Sequence, residues 1–470
     1  MSQIQIKFGT DGWRAIIAKE YTVDNVKRVA EATARWMMSN SMKSAVIGYD
    51  CRFGGTMFSE AAAQVLCNFG IKVYLDKSFV STPMVSLGVV KLAADMGVVI
   101  TASHNPPNYN GFKLKSAYGG PTIPKHIAEV ESIIPDSPMG KLESLEHYAS
   151  DGLLEYVNLE DSYIEHVKEG FDLDLIRSSN IKLAYDAMYG AGQNVIRRLF
   201  PDAHLLHCEY NPSFHGQAPE PIHRNLGELS AFLKDSSDYN LGLANDGDAD
   251  RIGLYDGEGN FVDSHHILLL LLYYTYEHKK QDGKVVITFS VTNKMKKLAE
   301  IYGLDIEVTK IGFKYIAEIM TKDDILVGGE ESGGLAVKGH IKERDGIWIG
   351  LMIMEFMAKT GKSLSSLIQD VYDKVGPFKF DRDDLHIEDS KKWAIMDKCK
   401  NGEITSIGDK VVQKTENIDG YKFYLSDNEW VMIRPSGTEP VLRVYAHAAD
   451  YDAVRKILND THKTLQEGLS

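Results

Sequence analysis

The stretch AVIGYDCRFGGTMFSEAAAQVLCNFGIKVYLDKSFVSTPMVSLGVVKLAADMGVVIT, residues 45–101, decides the fold class. It opens on a short apolar run over 45–49 that reads as a buried strand. An amphipathic helix over 58–69 follows, then a strand over 71–75, a helix over 84–92 and a strand over 96–101. Strand–helix alternation with short connections argues for parallel sheets in an α/β architecture. The same order returns twice without obvious sequence identity. A second unit has strands over 181–185, 204–207 and 241–244, with helices near 193–200 and 226–233. A third has strands over 285–289, 306–309 and 325–327, with helices over 293–302 and 313–320. The last stretch differs. Short strands over 378–380, 411–413, 421–425, 430–434 and 442–446, then a helix over 451–465, read as a small α+β domain. A polar stretch near 150, the Asp256-Gly-Glu-Gly turn and Gly376-Pro377 place the expected domains at 1–150, 151–257, 258–376 and 377–470.

Size and composition agree with this. The 470 residues correspond to three or four domains at about 150 residues each. Hydrophobic residues at 44 % and charged residues at 25 % are ordinary globular values, which exclude a disordered, collagen-like or coiled-coil chain. Lys plus Arg is 52 and Asp plus Glu is 66, a net charge of −14. That balance argues against nucleic acid or an anionic membrane as a partner, and an anionic substrate would need locally focused positive charge. The four cysteines form no CxxC pair, which suits a reduced, cytoplasmic protein. The N-terminal stretch has no apolar h-region, so no signal peptide is expected. The longest apolar run, 267–272 followed by two tyrosines, is far short of the roughly 20 residues of a membrane helix and reads as a buried helix.

In open α/β sheets ligands sit beyond the carboxyl ends of strands. The segments after the third strand of each unit are therefore the places to look. Asp246-Gly-Asp-Ala-Asp-Arg251 puts three carboxylates at alternate positions, able to converge on one hard cation such as Mg²⁺ or Ca²⁺. An EF-hand wants Gly at loop position six and Glu at twelve, where this chain has Arg251 and Gly257. Thr101-Ala-Ser-His-Asn-Pro-Pro107 presents Ser103 on a turn held by Asn105 and Pro106, a nucleophile or phosphate carrier. The adjacent His104 makes no hydrolase triad, and no GxSxG elbow surrounds the serine. Gly329-Glu-Glu-Ser-Gly-Gly334 offers carboxylates and a hydroxyl to sugar hydroxyls. Arg434-Pro-Ser-Gly-Thr-Glu439 suits an oxyanion through a guanidinium fork, two hydroxyls and close backbone approach at Gly437, without Walker spacing. Arg14, Lys113, Lys115, His340, Lys342 and Arg344 matter only if they line the same cleft; singly, each is better read as a solvated surface charge.

Taken in order, FGTDGWR, TASHNPPNYNGFK, DGDADR, TKIGFK, GGEESGG with HIKERDG, and RPSGTEP resemble the α-D-phosphohexomutase superfamily, most closely its phosphoglucomutase branch. The resemblance covers nearly the whole chain. It implies three related α/β domains with mixed or parallel sheets and a C-terminal α+β domain of TATA-binding-protein-like fold, around one cleft. It implies a phosphoserine at Ser103, with Mg²⁺ held by Asp246, Asp248, Asp250 and a phosphoryl oxygen of Ser103. By the same resemblance Lys113 transfers protons, Arg14 and Arg251 stabilise charge, and His104 belongs to the catalytic group. Glu330, Ser332, Lys310, Gly312, His340 and Arg344 bind the sugar phosphate, and Arg434, Ser436, Gly437 and Thr438 bind the non-reacting phosphate. The implied reaction interconverts glucose 1-phosphate and glucose 6-phosphate through a hexose 1,6-bisphosphate intermediate, which also serves as activator. Gly334 stands where the mannose and glucosamine branches often carry His, whereas Ile311 stands where phosphoglucomutases often carry Thr. Use of mannose phosphate, alone or beside glucose phosphate, is therefore the alternative, with glucosamine phosphate behind it. A monomer or small homo-oligomer is expected. A serine-dependent sugar-phosphate hydrolase and a non-catalytic sugar-phosphate sensor are the rival classes. The first would release inorganic phosphate, and the second would not need both Ser103 and the aspartates.

Overall fold

The computed structural model describes residues 4–9, 11–436 and 441–467. The chain forms two compact units, one of Met1–Lys284 with Gly312–Ile368, the other of Val285–Ile311 with Gln369–Ser470.

The first unit contains two mixed sheets. The strands of the first are β1 (Trp13–Ile16), β2 (Ser44–Tyr49), β3 (Lys72–Asp76), β4 (Met96–Ile100), β5 (Tyr109–Ser116), β6 (Gly120–Pro121) and β7 (Leu154–Val157), in the order β1-β5-β4-β2-β3-β7 with β6 on β5. Strands β4, β2, β3 and β7 are parallel, as the alternating pattern requires, and helices Gly55–Asn68 and Thr82–Lys91 cross between them. The latter helix starts on Ser81, whose side chain accepts from the Met84 N–H, with proline in the first turn. β4 is buried along its whole length, which explains its continuous apolar run. β5 is antiparallel to β4, because the connection over 101–108 is too short for a crossover. That short return is the Ser103 loop.

The second sheet is β12-β11-β10-β8-β9, with β8 (Leu183–Asp186), β9 (His204–Leu206), β10 (Leu241–Asn245), β11 (Ile252–Asp256) and β12 (Phe261–Val262). β8, β9 and β10 are parallel, and β11 returns antiparallel through the Asp246–Arg251 loop. Strand β7 carries the first sheet to Val157 and β12 carries the second to Val262, so both extend past the expected boundaries at 150 and 257. The rest of this unit includes an antiparallel pair, Ile325–Gly329 with Leu335–Val337, and the helices Ser264–Tyr273 and Gly346–Thr360. Every residue of helix Ser264–Tyr273 is buried, so the apolar run that is too short for a membrane is a core helix. Among the described residues no helix is long and apolar enough to cross a membrane.

The second unit holds the parallel pairing of residues 285–288 with Ile306–Thr309 and a five-stranded antiparallel sheet. Its order is Lys379–His386, Val441–Ala448, Glu429–Pro435, Tyr421–Ser426, Lys414–Glu416. Helices Asp389–Asn401 and Tyr451–Glu467 contribute Ile395, Val454, Ile457 and Leu458 to the core on this sheet. The strand expected over 411–413 is instead two short pieces, because Ser406–Ile407 and Lys410–Val411 fold on each other and pairing with the main sheet begins at Lys414.

Candidate active site

Ser103 sits at the carboxyl end of β4 with a left-handed backbone, φ +53°, which residues other than glycine rarely adopt. Its N–H donates to Thr101 Oγ1 at 2.8 Å, and Thr101 in turn donates to Asp50. Arg52, fully buried, donates to the carbonyls of Ser103, Asn105, Pro106 and Tyr109. Asp50 and Arg52 are functional candidates that the sequence reading passed over. Their signal was available: charged residues directly following a buried strand, at the same sheet edge as the serine loop.

The second loop meets the first through its small residues. A Cβ on Gly247 would lie 2.5 Å from the Ser103 carbonyl oxygen, so only glycine permits this approach. Ser103 Oγ donates to Asp246 Oδ2 at 2.7 Å. Asp246, Asp248 and Asp250 are all buried, with one carboxylate oxygen of each lying within 4.8 Å of the others. Asp248 accepts from Thr82 Oγ1, which ties the metal-type loop to the helix after β3. Asp248 Oδ1 and Asp250 Oδ1 are buried without a hydrogen-bond partner among the described residues. Such orphaned anionic oxygens, in an all-oxygen set, fit a hard divalent cation. Burial, then the neighbouring Asp248 and Asp250 charges, push the Asp246 carboxyl well above its usual range. Burial also opposes the charge of Asp248, but Lys113 outweighs it and holds that carboxyl low.

Lys113, on β5, is 1 % exposed and lies 2.8 Å from Asp248, 2.8 Å from Asp11 and 3.3 Å from Asp250. Burial would lower its pKa; the three carboxylates overcome that and raise it, so the ammonium is held charged. Arg344 Nη2 reaches Asp11 at 2.6 Å and Asp250 at 2.5 Å. Arg14 donates to Asn105 Oδ1 at 2.8 Å, so it stands on the serine loop. Arg251 is 9 % exposed, and its Nη1 lies 3.8 Å from Glu220. Burial, with Arg251, Arg14, Lys113 and Arg52, pushes the His104 imidazole well below its usual range, leaving it neutral at pH 7. Lys115 is spent elsewhere, in a fully buried ion pair with Glu343. Asp11, although inside a quoted motif, was not named as a site candidate; only the folded chain reveals that it bridges Lys113 and Arg344.

Glu330 accepts from the Gly312 N–H at 2.9 Å and lies 3.6 Å from Arg344 Nη1, so Gly312, Glu330 and Arg344 come together. Burial raises the Glu330 carboxyl against the pull of Arg344 and Arg251. Ser332 is half-buried in the same loop. His340 is not brought to this group by its side chain. It is stacked on Trp348 at 3.8 Å between ring centroids, 2.8 Å from Asp345 and 3.2 Å from His166. The aspartate that draws it there also caps the helix Gly346–Thr360. In the second unit Lys310 is exposed, while Arg434 Nε lies 3.3 Å from Asp419, which accepts from the Ile311 N–H. The Ser436 carbonyl accepts from Lys392. Gly437 and Thr438 lie outside the described residues.

Four family models match this chain. They describe the α/β/α domains I, II and III and the C-terminal domain of phosphoglucomutase/phosphomannomutase, at residues 5–139, 161–259, 263–375 and 388–463. The chain belongs to the phosphoglucomutase/phosphomannomutase family, within the α-D-phosphohexomutases. It is a phosphohexomutase, an isomerase built from three α/β domains and a C-terminal domain. A phosphoglucomutase/phosphomannomutase of Thermococcus kodakarensis is 29 % identical over 98 % of this mutase and 99 % of its own length. A phosphoglucosamine mutase of Methanococcus maripaludis is 30 % identical over the same shares. The crystal structure of a Thermus thermophilus protein, described as a "putative phosphomannomutase", superposes with a TM-score of 0.88 at 32 % identity, covering 99 % of this chain and 100 % of that one.

Proposed function

We propose that this phosphohexomutase interconverts glucose 1-phosphate and glucose 6-phosphate through a phosphorylated Ser103 and a hexose 1,6-bisphosphate. The observation carrying this reading is the hydrogen bond of Ser103 Oγ to one of three clustered, buried aspartates. A hydroxyl so placed is what a phosphoryl carrier beside a cation site needs. Asp246, Asp248 and Asp250 would hold Mg²⁺, which when bound neutralises phosphoryl oxygen charge as a Lewis acid.

The chain's own residues do the rest. Phosphoryl transfer depends on in-line positioning and charge neutralisation more than on covalent help. In the first half, the free hydroxyl of a hexose monophosphate attacks the Ser103 phosphorus. The Ser103–O–P bond breaks, the sugar–O–P bond forms, and the hydroxyl proton is accounted for by the Ser103 alkoxide. Lys113, held as ammonium, gives a proton to the departing Ser103 oxygen and takes the attacking hydroxyl's proton in exchange, so its own charge is unchanged over the step. Arg14 and Arg251 supply positive charge to the group in flight. Glu330 and Ser332, with Gly312 and Arg344, orient the sugar. In the second half the bisphosphate presents its other phosphate and the steps run in reverse. On the second unit, Arg434 and Ser436, with Gly437 and Thr438, hold the phosphate that is not reacting.

A substrate panel with Mg²⁺ tests the sugar assignment. Glucose 1-phosphate should exceed glucosamine 1-phosphate and ribose 1-phosphate in kcat/KM, with mannose 1-phosphate equal or lower. A clear win for glucosamine 1-phosphate would overturn the glucose reading. Intact mass tests the carrier: hexose bisphosphate should add one phosphoryl group to the wild type and none to Ser103→Ala.

A further inference from the structure

We infer that Arg52 is a positioning residue for phosphoryl transfer: by binding the backbone of the serine loop, it sets the line along which Ser103 Oγ is approached. This rests on the reading of Ser103 as phosphoryl carrier.

Arg52 follows β2, the neighbour of β4, and its side chain reaches the backbone of the serine loop. Nη2 donates to the carbonyls of Ser103 and Asn105, each at 2.6 Å. Nη1 donates to those of Pro106 at 2.8 Å and Tyr109 at 3.1 Å. Nε lies 3.3 Å from Asp50. The ring of Phe214, from the second α/β domain, covers the guanidinium at 5.1 Å. With its side chain fully buried, four of its five N–H groups given to the loop and the fifth facing Asp50, Arg52 is not placed to touch a substrate. Its role is different from that of Arg14, which holds the same loop by the side chain of Asn105.

Asp50 closes the ring. It accepts from the Arg52 N–H at 3.0 Å and from Thr101 Oγ1, and Thr101 Oγ1 accepts from the Ser103 N–H. Both peptide groups flanking the Ser103 Cα are thereby bound to one Asp–Arg pair. The left-handed φ of Ser103 is unfavourable for a side chain with a Cβ, and it persists because this ring over-determines it. A lysine cannot reproduce the effect. Its single ammonium is a point charge, whereas the planar fork meets four separated carbonyls. Displacement of a reacting atom by about 1 Å can cost on the order of 100-fold in rate.

The test uses the full-length enzyme with Mg²⁺, comparing wild type, Arg52→Lys and Thr101→Val. Thr101→Val is close to isosteric, keeps Arg52 and removes only the hydroxyl shared by Asp50 and Ser103. It carries the test if Arg52→Lys does not fold. Rates are normalised to the folded fraction at the assay temperature by circular dichroism. Loading of Ser103 by glucose 1,6-bisphosphate is timed by intact mass. The expected result is a kcat per folded molecule roughly 100-fold lower in Arg52→Lys and about 10-fold lower in Thr101→Val. KM for glucose 1-phosphate should stay within about threefold, and Ser103 loading should slow in parallel with kcat. A kcat per folded molecule within about threefold of wild type in the folded variants would overturn the inference, because Arg52 would then matter only to stability. A wild type that accepts no phosphoryl group from the bisphosphate would instead sink the reading of Ser103, and the inference with it.

Discussion

Lys113 shows how one residue can be read two ways until its neighbours are known. In the sequence it is a basic residue in Gly-Phe-Lys-Leu-Lys; in the fold it shares with Arg344 the neutralisation of Asp11 and Asp250, and pairs with Asp248 besides. Removing one partner of a buried charge group leaves the others uncompensated, at a cost of about 3–5 kcal/mol. Lys113→Met should therefore melt well below the wild type in EDTA. A cation bound to the aspartates would take over part of the neutralisation, so added Mg²⁺ should raise the melting temperature of the variant more than that of the wild type. Activity should fall roughly 100- to 10,000-fold, the range for loss of a proton-transfer group. Thermal melts with and without Mg²⁺, beside steady-state rates, check both halves. An equal Mg²⁺ shift in the two proteins would show that Lys113 and the cation do not share a charge site.

At the scale of elements, the candidate site is a meeting of strand ends. The sequence displayed the strands, the helices between them and the polar loops beyond their carboxyl ends, because alternation of buried strand and helix is a local pattern. What it hid was pairing at a distance. Arg52 and Asp50 look like ordinary charges until β2 is laid beside β4. Asp11 gains meaning only when it meets Arg344, more than 300 positions away. His340 shows the opposite case: it lies in the same motif as Arg344, but its ring stacks on Trp348. The sugar loop adds a test of such contacts. A Cβ on Gly334 would come 2.2 Å from Arg344 Cδ, a flexible side chain rather than backbone. Gly334→Ala should thus dislodge Arg344 from Asp11, Asp250 and Glu330 while the fold survives. The expected outcome is a drop of about tenfold or more in kcat/KM, on the scale of losing about 1.4 kcal/mol of transition-state binding. An unchanged kcat/KM would mean that Arg344 works equally well from a second position.

For the whole molecule, the division of the chain matters. The family's third segment, 263–375, contributes to both compact units, because 285–311 belongs with the C-terminal residues. Within that second unit Lys422 is buried, donates to the Phe289 carbonyl and lies 4.1 Å from the centre of the Trp430 ring. Burial, with help from Lys296, lowers its pKa from the ordinary lysine value to about 7. Between pH 7 and pH 10.5 the unfolded chain therefore binds a proton at Lys422 that the folded chain lacks. Folding stability should rise with pH across that window and be flat in this respect below it. Lys422→Met should remove that part of the slope. Denaturation monitored by tryptophan fluorescence from about pH 6 to about pH 10 checks it, and parallel wild-type and variant profiles would show that the ammonium is as comfortable inside as in water.

A serine gripped by both its amide and its carbonyl has nowhere to travel. If Ser103 is the fixed post at which the group is given and taken back, then the sugar must be the traveller. It has to let go, tumble and re-enter without drifting away. How often a bisphosphate escapes to solvent before completing that somersault, rather than any suppleness of the serine loop, would then set how much free activator the enzyme needs to stay charged.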